Sequence, residues 1–373
     1  MLFYWLLPTT PHSRSVQRFV NKMLDILIVI FTLLILIFGA WCVGEGGEIL
    51  GEKYEASFIG GFVIAWLNTA PETLFFISAL NSGNIDIAIG AMSGSVIVVS
   101  TIAVGTALFI GASARRTKSV HFEPAVRQQA LALGISLIPV GLMIFTGFSV
   151  ILGIFGILEY MGFAWFFLRS KEQLEHEMEV DFRASSLENA AGDESDDEDH
   201  HKDTPVWQGA AYLVVGGMIF AIFSDFFIDA VTAIGVAWRI NAVMLAFFLA
   251  PIASEAPEIL ESIQLSRKGR TKSINVAFSN LMGGTVSKTT LLLGILHLYG
   301  ALVPHEWITP IYPVSIACVV ICCAFTAWLG HHFQRHPAVH GLYLLIPYII
   351  TGLIQAYLSV GSETATPSSV QVM

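Results

Sequence analysis

Two short stretches of this chain place the same chemistry in apolar surroundings. Residues 68–72 read NTAPE and residues 254–258 read SEAPE. Each closes on Pro-Glu, and the two glutamates stand 186 positions apart. A carboxylate at bilayer depth costs at least about 2.5–3.5 kcal/mol, so an acid kept there points to a functional role. Two carboxylates aimed at one site repel each other unless a cation lies between them. Pro71 and Pro257 lack an N–H and push away the carbonyl one turn back, which frees further oxygens. Asn68, Thr69, Ser254 and Ser95 add polar oxygens near the same depth. Carboxylate, carbonyl and hydroxyl oxygens together suit hard cations such as Ca2+ or Na+. Glu255 and Glu261 flank Glu258, and residues 258 and 261 share a helix face, so Glu261 is expected to line a vestibule.

The elements that must carry these residues are membrane spans. The 373 residues are 54% hydrophobic and only 13% charged, about half the charge of an ordinary soluble domain. Apolar runs long enough to cross a bilayer occur about ten times, near 24–43, 57–80, 84–112, 128–147, 149–168, 207–231, 242–265, 273–303, 311–330 and 339–360. The expected class is therefore an all-α, polytopic membrane protein. Residues 169–206 are polar and include the acidic run Asp193–Asp203, which reads as a flexible linker between five helices and five more. The expected organisation is an N-terminal segment (1–23), a first membrane domain (24–168), the linker (169–206), a second membrane domain (207–360) and a tail (361–373). With the N-terminus on the non-cytoplasmic side, fourteen loop Lys and Arg residues face the cytoplasm and four do not. That excess places the linker in the cytoplasm. Residues 1–24 contain no acid and read as an interfacial helix or a leader.

The two halves repeat. Phe58–Ser95 and Asn241–Gly284 each run through an apolar helix, a small-polar turn, Pro-Glu, more helix, a short polar loop and a glycine-rich helix start. IAIGAMSGS pairs with VAFSNLMGG, and the first repeat extends over 58–99 and the second over 241–288. Five helices per half make the second copy enter the membrane from the opposite side. Such inverted repeats place a substrate site near the bilayer midplane.

LNTAPETL, LAPIASEAPEIL, AMSGSVIVV, SNLMGGTVSK and the approach FGAWCVGEGGEILGEKYEASFIGG resemble the cation/calcium exchanger superfamily, in which this chain is similar to a divergent sodium/calcium exchanger-like member. The resemblance implies ten helices in two inverted five-helix repeats and antiport of Ca2+ or a related small cation against Na+ or H+. It implies that Glu72 and Glu258 are the central acidic ligands and that Thr69, Ser254 and, less closely, Asn68 stand at hydroxyl or backbone ligand positions. Ser95 matches the serine of the first Gly-Ser-Asn. At the equivalent position of the second copy stands Gly284, and the last ligand position holds Val99 in one copy and Lys288 in the other. Lys288 is expected to act as a tethered counter-cation that neutralises Glu258 or Glu255. The alternative is a transport-inactive scaffold in which Lys288 occupies the site.

Other clusters read more simply. Asp225 with Asp229 and Glu45 with Glu48 are expected at opposite mouths. HHFQRH (331–336) reads as a polar interhelical loop, and Cys42, Cys318, Cys322 and Cys323 as buried small hydrophobes. No catalytic signature of hydrolases, metalloproteases or P-loop enzymes is present, so an enzyme is not expected. No nucleic-acid partner is expected, since no basic surface pattern occurs. The expected partners are small cations and the lipid bilayer. No cofactor is expected beyond the transported cation, Ca2+ or Na+.

Overall fold

The computed structural model describes residues 11–53, 64–65, 69, 85–169, 204–237, 247–248, 250–302 and 311–365. Within them the chain is helical: α1 (Pro11–Lys53), α2 (Ile85–Ile97), α3 (Val104–Ala114), α4 (Pro124–Thr146), α5 (Val150–Arg169), α6 (Val206–Ala237), α7 (Ala250–Ser254), α8 (Ala256–Arg267), α9 (Thr271–Ser287), α10 (Leu293–Gly300), α11 (Ile311–His332) and α12 (Ala338–Ala365). π-Helical stretches, Val98–Ala103 and Lys288–Leu292, join α2 to α3 and α9 to α10. Seven helices among the described residues are long and apolar enough to cross a membrane. Bands of exposed Leu, Ile, Phe and Trp on α1, α4, α5 and α12 suit lipid contact.

Three boundaries differ from the sequence expectation. The first helix starts at Pro11 rather than near residue 24, so residues 11–23 continue α1. The apolar run ending near 265 is broken at Glu255 into α7 and α8, because Pro257 cannot supply an N–H and sits in the opening turn of a new helix. The 331–336 segment is not only a loop. Arg335–Pro337 pairs antiparallel with Ser119–His121, with Val120 opposite His336.

Helix packing follows a two-fold pattern. α1 packs on α6, α4 on α11, α3 on α12, and α10 on α5. Under the five-plus-five numbering expected from the sequence, each of these pairings maps onto itself or onto another. Glycines carry the equivalence down to single residues. Gly105 and Gly341 each present open backbone to the other: an added Cβ on either would come within 2.8 Å of its partner's carbonyl oxygen. Gly153 and Gly294 do the same at 2.9 and 3.0 Å. Gly105 lies ten positions after Ser95, and Gly294 ten after Gly284. The repeat offset read from the motifs is therefore also the offset of the helix crossings.

One end of the bundle gathers the basic loops. Arg115 Nη1 donates to Thr271 Oγ1 (2.8 Å) and to the Gly269 carbonyl (3.4 Å). Lys268 pairs with Glu45 at 3.1 Å, and the β pair ties the ends of α3 and α11 together. At the other end the Ser149 N–H donates to His297 Nδ1 (3.1 Å).

Candidate functional site

Three backbone devices converge halfway along the bundle. The α7–α8 break turns Glu255 and Glu258 inward. The π-helical stretch begins at Lys288. α2 supplies Ser95 and approaches the break closely, since a Cβ on Gly94 would stand 2.2 Å from the Phe247 carbonyl oxygen and 2.5 Å from Pro251 Cγ. Glu255, Glu258, Ser95 and Lys288 are all buried, Lys288 completely.

Lys288 Nζ lies 2.7 Å from Glu255 Oε2 and 3.3 Å from Glu258 Oε1. It also approaches Ser95 Oγ at 3.4 Å, and Ser95 Oγ donates a hydrogen bond to Glu255 Oε1. One ammonium thus bridges two carboxylates, with a hydroxyl closing the ring. Glu261, one turn further along α8, is also fully buried and accepts from Asn280 Nδ2 at 3.2 Å. Two carboxylates, Glu255 and Glu258, thus lie within 3.3 Å of the one ammonium.

Of the residues singled out from the sequence, Glu258, Ser95, Glu255 and Lys288 come together, and Glu261 lies one turn away against Asn280. Ser254 is half-buried and its hydroxyl bonds back to the Pro251 carbonyl at 3.2 Å. Thr69 is buried. Glu72 and Asn68 lie outside the described residues. Ala65, one turn before Thr69, does pack near Gly284: a Cβ on Gly284 would stand 3.9 Å from Ala65 Cβ and 4.0 Å from Glu258 Oε2. The missing hydroxyl at position 284 is thus missing beside Glu258 itself. Val99 is buried within the first π-helical stretch, at the place Lys288 takes in the second.

Among the described residues no group of three or more His, Cys, Asp or Glu side chains is arranged to hold a metal ion, the 331–336 histidines included. The four cysteines are buried free thiols. The side chains of Asp225, Asp229 and Glu48 lie outside the described set. Sequence reasoning missed Asn280; the signal was that its counterpart in the first repeat is Ala91.

The family model for sodium/calcium exchanger proteins matches residues 24–169 and 208–357. The chain belongs to that family. Among curated relatives, vacuolar cation/proton exchanger 3 of Arabidopsis thaliana is 24% identical over 84% of this chain and 72% of its own length. Vacuolar cation/proton exchanger 1 of the same plant is 22% identical over 80% of this chain and 66% of itself. The sodium/calcium exchanger NCL of Arabidopsis thaliana matches at 24% over 43% of this chain and 28% of itself. A solved structure of the sodium-calcium exchanger NCX_Mj superposes with a TM-score of 0.64 at 18% identity, covering 88% of this chain and 98% of that one. That likeness establishes the exchanger fold of this multi-pass membrane protein. Its relatives are transporters rather than enzymes.

Proposed function

We propose that this exchanger-family protein is a cation antiporter in which Ca2+ or a related small cation competes with the Lys288 ammonium for Glu255 and Glu258, with Glu72 as the acid from the opposite repeat. The observation that carries this reading is the ammonium held between two buried carboxylates at 2.7 and 3.3 Å. Two unit charges about 4 Å apart interact by about 4 kcal/mol at an effective dielectric of 20, and a divalent ion against an ammonium by twice that. A cation therefore enters only if the ammonium is lost or displaced. Lys288 is fully buried between two carboxylates, and an arriving cation that takes over those carboxylates removes what holds its proton. Cation binding and proton release are then one event, and exchange against H+ follows. The cation/proton exchange named for the plant relatives supports this choice of coupling ion over Na+. The two inverted five-helix halves then provide alternating access around a site fixed between them.

The same contacts favour a second reading, in which Lys288 permanently fills the site of a transport-inactive scaffold. Thermal-shift titration of the purified protein with Ca2+, Mg2+, Mn2+ and Na+ separates the two, since a bound ion stabilises the fold. Under antiport, wild type shifts with at least one cation, Glu258→Gln loses the shift, and binding releases protons. Under the scaffold reading, wild type shows no shift with any of the four and Lys288→Ala gains one.

A further inference from the structure

We propose that Glu261 and Asn280 form a proton-binding pair distinct from the Lys288 site, placed one turn along α8 toward the end of the bundle that holds Arg115 and Lys268. Both side chains are completely buried. Asn280 Nδ2 donates to Glu261 Oε1 at 3.2 Å, while Asn280 Oδ1 is buried without a hydrogen-bond partner among the described residues. A buried amide oxygen without a donor is an uncommon expense in a folded protein.

The repeat shows that the pair is an addition to one half. Counting from the Pro-Glu motifs, Glu261 corresponds to Phe75, and counting from the glycine-rich starts, Asn280 corresponds to Ala91. Acid and amide occur together in the second repeat and neither occurs in the first. Lys288 and Glu255, against Val99 and Thr69, show the same bias, but their charges already meet each other.

The ligand chemistry follows from the donor count. A hard metal ion needs about six oxygens, and none of the described residues form a metal-holding group here. A proton needs a single acceptor. Ionised Glu261 accepts the Nδ2–H as seen. Protonated Glu261 has an O–H to donate, and a half-turn of the Asn280 amide brings Oδ1 to receive it. The step is a bare protonation: hydronium from the aqueous side gives up H+, one O–H bond forms on Glu261, and water is left. Each state satisfies a group that the other leaves without a partner. Charged and titratable groups on the elements packed around this turn include Glu255, Glu258 and Arg267 on α8, Lys268 at its end, Lys288 beyond α9, Lys272 on α9, Cys42, Glu45, Glu48 and Glu52 on α1, and Arg115 after α3. Glu45 is engaged by Lys268, Arg115 by Thr271 and Lys288 by Glu255.

That Glu261 takes a proton stands by itself; its service as a stage between the aqueous end and Lys288 rests on the antiport reading. The test is labelling of the full-length protein with dicyclohexylcarbodiimide, which attacks protonated carboxyls in apolar surroundings, followed across pH by peptide fragmentation that separates Glu258 from Glu261. Label at Glu261 is expected to fall as pH rises, and Asn280→Ala is expected to move the midpoint by about one pH unit. Failure of Glu261 to label at every pH, or an unmoved midpoint in Asn280→Ala, overturns the proposal. Glu261→Gln is close to isosteric and keeps the amide contact, and the wild-type titration needs no variant. Glu261→Gln is also expected to keep a Ca2+-induced thermal shift. Loss of that shift makes Glu261 part of the cation site and overturns a separate pair. A missing shift in wild type sinks the antiport reading and leaves the proton titration to be judged alone.

Discussion

The chemistry concentrates on one side chain. Lys288 stands at a position where the cation/calcium exchanger resemblance implies an oxygen ligand, and its ammonium meets Glu255, Glu258 and Ser95. Removing one partner of a buried ion pair costs about 3–5 kcal/mol, because the other charge is left uncompensated. Lys288→Ala is therefore expected to lower the melting temperature in cation-free buffer and to recover most of the loss when Ca2+ is added, read by thermal denaturation with and without the ion. Gly284 permits the converse experiment. An added Cβ meets nothing closer than 3.9 Å, and Glu258 Oε2 lies 4.0 Å away. Gly284→Ser is expected to fold normally and to strengthen cation binding several-fold, measured as a larger thermal shift at fixed Ca2+. Glu159 on α5 behaves differently. Both its oxygens are buried with no hydrogen-bond partner among the described residues. Glu159→Gln is expected to leave stability unchanged or raise it by about 1 kcal/mol, because no ionic partner is lost. At this scale the sequence was readable wherever a charge interrupts an apolar run, as at Glu258 and Lys288. Asn280 was not, since an amide in a polar helix start carries no such contrast until its counterpart Ala91 is set beside it.

Elements position these groups by interruption. The break at Glu255 was only half legible: Pro257 denies its helix an N–H, yet the apolar pattern ran as one span through 242–265. The π-helical stretches were not. They arise from packing between helices, and Val98–Ala103 differs in composition from Lys288–Leu292 while holding the same place in the repeat. The close approach at Gly94 sets where Ser95 meets Glu255. Gly94→Ala forces a Cβ to 2.2 Å from the Phe247 carbonyl oxygen and is expected to cost several kcal/mol, seen as a lower melting temperature or loss of folded protein. The β pair between 119–121 and 335–337 was also invisible, being too short for an alternating pattern to show. It holds His336 fully buried against Phe122, with rings 4.1 Å apart. Burial, with His340 beside it, holds the His336 imidazole down to about 4. The Phe333 carbonyl acts against this, and His121 and Arg127 add smaller pushes downward. The unfolded chain takes up that proton near pH 6.5 and the folded one only near 4, so stability contributed by neutral His336 is full above about pH 6.5 and is lost as pH falls toward 4. Acidification is expected to remove up to about 3 kcal/mol by this route. His336→Phe is expected to flatten the melting temperature over that interval.

The whole molecule is two halves whose crossings repeat. Because α1–α6, α4–α11, α3–α12 and α5–α10 map onto one another, the site lies where the halves meet rather than within either. The all-helical membrane class and the glycine-rich starts were legible in the sequence; of the ten spans expected, seven stand among the described residues, and the first Pro-Glu lies outside them. The offset from Ser95 to Gly284 recurs from Gly105 to Gly294, so motif spacing and packing spacing are one property. The repeat is asymmetric: Lys288 against Val99 was visible in the sequence, and Asn280 against Ala91 was not. Glu255, Glu261, Asn280 and Lys288 all belong to the second half, and their contacts depend on folding that brings the helices together. Under the proposed antiport reading, the charged cluster of the second half is what couples the cation to protons. The direct test is uptake of Ca2+ and Mn2+ into proteoliposomes under an imposed proton gradient, wild type beside Glu258→Gln and Lys288→Ala. The expected result is gradient-driven uptake by wild type, at least tenfold less by Glu258→Gln, and uptake uncoupled from protons in Lys288→Ala. Uptake by Glu258→Gln equal to wild type, or proton coupling untouched in Lys288→Ala, contradicts a site built on Lys288 and its two glutamates.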